Sequence, residues 1–209
     1  MNPFVYPKQK HIRTQTPPVY KNYGSYKPYL RKEFSRKCIY CCTPDSMRGE
    51  SSFGADHYRP QKYFPHLSVV YSNLFYCCNA CNSRKSSHWP GHGKHPSFFI
   101  PNPCDHEMFR HLRFKGAVVE ARTEDGAFAC DLLDLNSQDV VEFRNAILVA
   151  IEATTARLNE LGKLILSVKD RLSNGLLDQA KADEAIEKIN VEIEKANRAL
   201  LRLSGELAI

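Results

Sequence analysis

Two pairs of cysteines, each with two residues between its members, constrain this sequence more than any other feature. Cys38 and Cys41 form the first pair, and Cys78 and Cys81 form the second. Two intervening residues let both thiolates of a tight turn face one ion, and two such turns complete the tetrahedral ligand set that structural zinc prefers. Four thiolates leave no open position for water, so we predict a structural zinc rather than a catalytic one.

The remaining cysteines leave one ambiguity in this assignment. Cys42 and Cys77 stand beside the proposed ligands and offer an alternative with three residues inside each pair. We expect the two-residue spacing to hold, and we expect Cys42, Cys77, Cys104 and Cys130 to be non-ligands. A redox function is the competing interpretation, but a redox pair usually occurs once, in a βαβ context that this sequence does not show.

The composition is ordinary for a globular protein, with 43% hydrophobic and 25% charged residues. No apolar run approaches the ~18 residues of a membrane span, and residues 1–13 lack the apolar core of a secretory signal. We therefore expect a cytoplasmic protein, a setting in which disulfides rarely persist. Eight cysteines then point to metal binding or to buried thiols.

Residues 1–30 are the first of three segments, and they are rich in proline, tyrosine and lysine without a sustained apolar period. We predict an extended arm here. Residues 1–37 hold nine lysines and arginines against the single acid Glu33. Because basic side chains neutralise phosphates and aromatic rings stack on bases, the arm is a candidate for nucleic-acid contacts; the alternative is an arm that packs on the domain. Its candidate contact residues are Lys8, Lys10, Arg13 and Lys21.

Residues 31–136 are the second segment, with the cysteines, most of the histidines and many turn signals. In it we predict two short strands, over residues 112–120 and 128–133, around the turn Glu124-Asp125-Gly126.

The third segment, residues 137–209, changes character completely. Apolar residues recur at alternating spacings of four and three on both sides of a break at Ser173-Asn174-Gly175. A 3.5-residue period is typical of a coiled-coil seam, so we predict an antiparallel helical hairpin. The hairpin either closes on itself and covers the domain, or docks a partner or a second copy of the chain. The predicted seam positions are Ile147, Ile151, Thr154, Leu158, Leu161, Ile165, Val168 and Leu172, then Ala182, Ile186, Ile189, Ile193, Ala196, Leu200, Leu203 and Leu207.

The residues between the two cysteine pairs carry a second motif. Asp56 and His57 come first, Asn73 follows, and Asn82 comes directly after the last cysteine of the set. At these positions the sequence resembles the HNH nucleases, whose motif has an acid–histidine pair on a strand, an asparagine in a loop and a final histidine or asparagine on a helix. The resemblance covers residues 34–90. It implies an α+β fold with a ββα-metal (HNH) core and a zinc knuckle, to which the predicted C-terminal helical hairpin is added.

The resemblance implies a role for each motif residue. His57 matches the general base that takes a proton from the attacking water. Asp56 and Asn82 match the two protein ligands of a single divalent cation, and Asn73 matches the loop residue that orients the base-bearing segment. The basic residues of this region for which we expect nucleic-acid contacts are Arg59, Lys62, Arg84 and Lys85.

Elementary chemistry agrees with these roles. Hydrolysis of a phosphodiester needs a base with a pKa near neutrality, and imidazole supplies one. A carboxylate and an amide oxygen are hard ligands, suited to magnesium or manganese rather than zinc. Neighbouring residues on a regular strand point to opposite faces, so the backbone at Asp56 and His57 must bend or the strand must end there.

Two departures from the family pattern concern the motif itself. Many relatives carry lysine where this chain has Gln61, although Lys62 follows directly, and the last motif position is Asn82 rather than histidine. Three further histidines, His88, His92 and His95, lie in a Gly/Pro-rich stretch. We interpret that stretch as a surface loop rather than a second metal site.

Beyond the motif, the sequences Pro101-Asn102-Pro103-Cys104-Asp105 and Leu132-Leu133-Asp134-Leu135-Asn136 are similar to those of a narrower group. This group is the small HNH subunits that accompany an ATPase in Septu-type and retron-linked antiphage systems. The resemblance implies a metal-dependent endonuclease acting on DNA, with a partner ATPase that the hairpin contacts. The alternatives are a ribonuclease, such as a tRNA-cutting toxin, and a non-catalytic zinc module that binds nucleic acid or protein.

Overall fold

A computed structural model describes residues 2–93 and 96–206 of the chain. It is a mixed α and β structure with two small antiparallel sheets and a long helical hairpin at the C-terminal end. His95 and Leu207, on which two of the predictions above rest in part, lie outside the described residues.

The centre of the molecule is a unit of two strands and a helix. Strand β1 (Phe53–His57) pairs antiparallel with β2 (Leu74–Cys78), and β2 runs directly into helix α3 (Asn79–Lys85). The register places Asp56 opposite Phe75 and His57 opposite Leu74. All five residues of β2 are buried, because helix α1 (Lys27–Glu33) packs beside it.

The N-terminal residues pack into the core rather than lying free. Phe4 and Tyr6 are buried, and the ring of Tyr6 stacks on Phe114 with 4.8 Å between centroids. The backbone N–H of His11 donates to the carbonyl of Pro103 at 2.7 Å. Residues 2–22 contain no regular helix or strand, and they form a wall of the domain. The prediction of an extended arm over residues 1–30 is wrong at its C-terminal end, where Tyr23–Tyr26 form a 3-10 helix and α1 begins at Lys27. The Asn22 side chain caps the 3-10 helix, and Pro28 stands in the first turn of α1, where proline is favoured.

The stretch after residue 107 departs from the prediction of two strands over residues 112–120 and 128–133. The chain forms helix α4 (Met108–His111), then a hairpin of β3 (Leu112–Lys115) and β4 (Val118–Ala121) that reverses at Gly116 (φ +60°), then helix α5 (Glu124–Leu132). A short helix α2 (Asp45–Arg48) lies earlier in the chain.

The second predicted strand is wrong because local signals for a helix start outweigh the apolar run. Thr123 caps α5 by accepting a hydrogen bond from the backbone N–H of Gly126 at 3.1 Å, and the two acids of the supposed turn occupy the first helical turn, where they are favoured. Position 126 of this helix requires a glycine, because a Cβ there would lie 2.1 Å from the carbonyl oxygen of His111.

The predicted helical hairpin is confirmed. Helix α6 (Gln138–Ser173) and helix α7 (Gln179–Ser204) are joined by a short turn at the predicted break. Every predicted seam position within residues 138–206 is buried or half-buried. At 36 residues, α6 is about 54 Å long.

The hairpin is fixed to the rest of the chain at its base. Arg144 is fully buried, and its guanidinium donates to the carbonyl oxygens of Ala117 and Leu135. Ile147 and Ile151 continue this contact into the core. The C-terminal end of α7, at the same base, is held as well, because the hydroxyl of Ser46 donates to the carbonyl of Arg202 at 2.7 Å.

Within the described part of the chain, no helix is both long enough and apolar enough to cross a membrane.

Candidate functional site

The four cysteines of the two pairs form one buried cluster. The Sγ atoms of Cys38, Cys41, Cys78 and Cys81 all lie within 4.8 Å of one another, and Cys41 and Cys78 are 3.8 Å apart. A tetrahedral zinc with bonds of about 2.3 Å separates its sulfur ligands by about 3.8 Å. The cluster therefore has the composition and spacing to hold a metal such as zinc, as the two-residue spacing predicted.

The other cysteines belong to the core. Cys77 is 3.9 Å from Cys38, but its thiol donates to the carbonyl of Cys78 at 3.3 Å and it is not in the four-sulfur group. Burial raises the pKa of Cys42 to about 12, which disfavours the thiolate that a metal needs. Burial opposes ionisation of Cys38 as well, but hydrogen bonds from Cys41 and Cys77 lower its pKa to about 5.

The motif between the pairs converges on one small cavity of about 170 Å³. Asp56, His57 and Asn82 all line it, together with residues of the loop that follows β1 and of the segment that follows α3. Strand β1 ends at His57, in accord with the expectation that a regular strand could not direct both neighbouring side chains to one place. The remaining lining residues are Pro60, Gln61, Lys62, Ser86 and Ser87.

His57 is half-buried and held by two neighbours. Its Nε2 lies 2.9 Å from the carbonyl oxygen of Ser68; since a carbonyl only accepts, Nε2 carries the proton and Nδ1 keeps the lone pair. The ring of Tyr23 meets the imidazole edge-on at 4.7 Å. Burial lowers the pKa of His57, although the Ser68 carbonyl and the charge of Asp56 act in the opposite direction, so the imidazole is neutral at pH 7.

Asp56 is buried, with 2% of its surface exposed, and both of its oxygens are hydrogen-bonded. Oδ2 accepts from the hydroxyl of Tyr40 at 2.7 Å. Oδ1 accepts from Nζ of Lys85 at 2.9 Å, and the same ammonium donates to the carbonyl of His57 at 2.8 Å. Lys85 is itself 2% exposed. It therefore neutralises Asp56 inside the protein rather than presenting a charge at the surface, where we expected it to meet phosphate.

These residues fit a divalent cation that keeps most of its water. A carboxylate has four lone-pair positions, so Asp56 has acceptor capacity left beside its two donors, and Asn82 faces the same cavity. Magnesium is commonly bound through one or two carboxylates with several waters retained. Within residues 2–93 and 96–206, the four cysteines are the one group of three or more His, Cys, Asp or Glu residues close enough to share an ion.

Asn73 bridges the start and the end of the loop after β1. Its Oδ1 accepts from the backbone N–H of Arg59 at 2.8 Å, and its Nδ2 donates to the carbonyls of Arg59 at 3.0 Å and Leu67 at 3.3 Å. The loop it closes also contributes Ser68, the partner of His57. Asn73 thus closes the loop whose Ser68 carbonyl contacts His57, and it is not among the residues that line the cavity.

The predicted nucleic-acid contacts are divided between exposed and internal positions. Lys8, Lys10, Lys21, Arg59 and Lys62 are exposed, and Lys62 borders the His57 cavity. Arg84 is partly exposed and pairs with Asp134 at 2.6 Å.

Arg13 is an internal anchor instead of a surface cation. Its guanidinium donates to the carbonyls of Leu74 at 2.8 Å and Ser72 at 3.3 Å, and it lies 4.6 Å from the ring centre of Phe75. The side chain fastens the arm to β2, so we withdraw it from the set of phosphate contacts.

His88 and His92, the two loop histidines within the described residues, pack against aromatic rings. His88 is buried, with Nε2 at 2.8 Å from the carbonyl of Phe98 and its ring 4.8 Å from Phe128. His92 packs on Tyr63 and Phe64 at 5.0 and 5.5 Å.

Comparison with known proteins gives two matches. No family model matches the sequence, and no solved structure matches it. The chain is similar to Septu protein PtuB of Bacillus thuringiensis, with 29% identity over 119 residues, which are 54% of this chain and 43% of that protein. It is also similar to Septu protein PtuB of Bacillus mycoides (strain KBAB4), with 25% identity over 157 residues, 61% of this chain and 52% of the relative. The chain spans about half the length of these relatives.

The predicted similarity to Septu-type proteins is therefore confirmed as partial sequence similarity to two PtuB proteins. The HNH resemblance remains a prediction.

The two segments that suggested the narrower group, residues 101–105 and 132–136, have structural roles in this chain. Asn102 is fully buried, and its Oδ1 accepts from the backbone N–H groups of Cys104 and Asp105 at 3.0 Å. Asn136 bonds both the N–H and the carbonyl of Val119 at 2.8 Å.

Three residues that complete the site were missed by sequence reasoning. Tyr23 and Ser68 contact His57, and Tyr40 contacts Asp56. Tyr40 lies between the two cysteines of the first pair, so its proximity to the motif was available as a signal. Nothing in the sequence singles out Ser68, because it acts through its backbone carbonyl.

Proposed function

We propose that this chain is an HNH-type endonuclease that hydrolyses phosphodiester bonds in DNA, as part of a Septu-type antiphage system. The observation that carries the proposal is the cavity shared by Asp56, His57 and Asn82. A buried carboxylate, a neutral imidazole and an amide on one small cavity match the needs of phosphodiester hydrolysis. The similarity to two Septu proteins supports the defence role.

In this proposal His57 removes a proton from the attacking water. The Ser68 carbonyl holds the proton on Nε2, so Nδ1 is the nitrogen that accepts. The lowered pKa of His57, caused chiefly by burial, keeps the accepting form present throughout the physiological range. Tyr23 contacts the ring edge-on and restricts its rotation, which keeps the accepting nitrogen in one direction.

A magnesium or manganese ion, when bound, supplies a positive charge that offsets the charge on the transition state and the leaving oxygen. Asp56 and Asn82 are the residues that would hold it. Asp56 is held in position by Tyr40 and Lys85, and a bound cation would share its carboxylate with these two donors. Lys62, exposed at the edge of the cavity, is placed to contact a phosphate of the substrate.

The proposed partner is an ATPase that contacts the helical hairpin. The hairpin leaves large apolar side chains in water, with exposed fractions of 65% for Val149, 67% for Leu166 and 69% for Leu176. Apolar residues at the tip and outer faces of a long hairpin do not serve its own seam. They are therefore available to a protein partner, a second copy of the chain being the alternative.

Two other functions make different demands on the same site. A ribonuclease can use the neighbouring 2′-hydroxyl as its nucleophile and needs no divalent cation, so it resists magnesium chelation. A non-catalytic zinc module binds nucleic acid or protein without cleaving it.

The test is a cleavage assay of the full chain, alone and with the partner ATPase, on plasmid DNA, single-stranded DNA and tRNA. We expect magnesium- or manganese-dependent cleavage of DNA. Asn82→Ala should lose most activity at low magnesium and recover part of it at high manganese, whereas Asn79→Ala, an exposed residue at the start of α3, should match the wild type. Cleavage of tRNA with magnesium removed would favour the ribonuclease, and binding without cleavage under all conditions would favour the module.

A further inference from the structure

A long basic groove crosses the surface between the arm and the first cysteine pair. It consists of two neighbouring cavities of about 720 and 550 Å³, and Ser35 and Lys37 line both of them. One wall is the arm, from Val5 to His11. The other end reaches Gly205 and Glu206, just after α7. No residue of this groove lines the cavity of His57.

The charge of the groove is strongly positive. Two arm lysines, Lys8 and Lys10, line one cavity, and Lys32 lines the other. All three are exposed, and within residues 2–93 and 96–206 no carboxylate lies within 4.0 Å of their ammonium groups. The acid Glu206 lines the far end of the groove. Arg31 also lines the groove, but it is paired with Asp45 at 2.6 Å and Glu50 at 3.4 Å. The other basic residues that line the groove are Lys8, Lys10, Lys32, Arg36 and Lys37.

The one acid within the arm half of the groove is already satisfied internally. The Glu33 side chain has no exposed surface. Its oxygens accept from His11 Nε2 at 2.7 Å, from the backbone N–H groups of Thr14 at 2.8 Å and Gln15 at 2.9 Å, and from the Tyr71 hydroxyl at 3.1 Å. The Glu33 carboxylate therefore holds the arm in place and does not neutralise the lysines of the groove.

Lys37, where the two cavities meet, is unusual. Its ammonium donates to the carbonyl of Pro3 at 3.3 Å, and no carboxylate in the described residues is within ion-pair distance. An ammonium that is partly removed from water without a paired anion is stabilised by an incoming anion.

Two apolar side chains outside the arm, Phe34 and Ile39, also line the groove. The ring of Phe34 packs on Phe75 at 5.4 Å and lies 4.9 Å from the Arg13 guanidinium, so it is engaged within the protein and adds apolar surface rather than a platform for stacking. A row of cations along a groove with apolar lining suits a flexible single strand, because its phosphates can meet the cations while its backbone follows the groove. The walls are fixed before binding, since His11 and Phe109 tie the arm to its neighbours through backbone hydrogen bonds.

We propose that this groove binds a single strand of nucleic acid at a site separate from the His57 cavity. The proposal rests on the proposed function only in taking nucleic acid as the substrate class. It adds a second contact region on the protein, which holds one part of a nucleic-acid strand while another part of that strand lies at the His57 cavity.

The test measures binding without cleavage. The full chain carries His57→Ala, a chelator removes magnesium but not the cysteine-bound metal, and the probe is a fluorescent single-stranded DNA of about twenty nucleotides. Lys10→Gln with Lys32→Gln removes two exposed cations. Each phosphate contact to a single strand contributes about 0.7 to the slope of log K against log salt. Two lost contacts therefore reduce the slope by about 1.4 and weaken binding at 0.1 M salt by about 25-fold.

The matched control is Lys163→Gln with Lys169→Gln, two exposed lysines on the distal half of α6, which changes the net charge equally. We expect its binding and salt slope to equal those of the parent. Equal loss in the groove variant and the control would show a non-specific charge effect and overturn the proposal, as would unchanged binding in the groove variant. An equal loss for a duplex of the same sequence would overturn the assignment to a single strand. None of these results bears on cleavage, so the nuclease proposal is tested separately.

Discussion

Lys85→Met is the change whose effect can be worked out most directly from the structure. It removes the ammonium that bonds Asp56 at 2.9 Å and the His57 carbonyl at 2.8 Å while keeping an unbranched apolar stem. Both members of the ion pair are 2% exposed, so the carboxylate left behind stays out of water with Tyr40 as its remaining donor. Removing one partner of a buried ion pair costs about 3–5 kcal/mol. We expect the free energy of unfolding to fall by about 4 kcal/mol.

The assay is urea unfolding followed by fluorescence at fixed zinc, because a bound metal makes stability depend on its concentration. Asp56→Asn with Lys85→Met removes both charges and should recover more than half of the loss. A divalent cation should also stabilise Lys85→Met more than the wild type, since it replaces the missing positive charge; a concentration of 100 times Kd contributes about 2.7 kcal/mol. The double variant should lack this extra response.

Two results would refute this reasoning. If Lys85→Met does not fold, the double variant decides the question alone, since it must fold if the buried charge is the cause. A double variant no more stable than Lys85→Met would show that the lysine stem, not the charge, is what matters. Wild-type stability in Lys85→Met would show that the ion pair is not buried in solution.

Three further predictions concern stability and pH. Burial opposes ionisation of Glu33, but hydrogen bonds from Thr14, Gln15 and His11 lower its pKa from 4.5 to about 2. The ionised Glu33 carboxylate therefore stabilises the fold above pH 4.5, and this stabilisation is lost as the pH falls toward 2. The difference in urea midpoint between the wild type and Glu33→Gln should shrink between pH 4.5 and pH 2 and vanish near pH 2. Cys38→Ser should lose bound zinc and unfold the core, because metal binding is part of the folding free energy, whereas Cys104→Ser should keep the metal in elemental analysis. The rate of cleavage should fall as the pH drops through the pKa of His57, which lies below 6.5 because of burial; a midpoint above 6.5 would contradict the assigned environment.

The elements that could be predicted are those set by local spacing. The two-residue spacing of each cysteine pair requires a tight turn, and the four sulfurs meet within 4.8 Å. The alternating spacing of four and three after Ile147 follows from the helical period, and the seam positions within the described residues are buried or half-buried. Asp56, His57 and Asn82, which the motif groups together, all line one cavity, and their roles there stay predictions.

The elements that could not be predicted depend on contacts between distant residues. Residues 128–133 have a pattern that a buried strand and a helix share, and the cap at Thr123 decided between them. Arg13 lies in a basic stretch and Lys85 beside the motif, so the sequence suggested exposed cations. In the structure Arg13 donates to a backbone carbonyl of β2, and Lys85 is paired with the carboxylate of Asp56 in β1. Charge in a sequence does not reveal whether a side chain ends in water or in the core.

The central claim is that His57 is the general base, and the rate of DNA cleavage by His57→Ala tests it most directly. The control is His66→Ala, which changes an exposed histidine of the loop after β1 that does not line the cavity. Both variants should retain the fold, the metal of the cysteine cluster and DNA binding. We expect His57→Ala to cleave ~10²–10⁴ times more slowly than the wild type, and His66→Ala to cleave at the wild-type rate. Metal-dependent cleavage by His57→Ala at the wild-type rate would contradict the account.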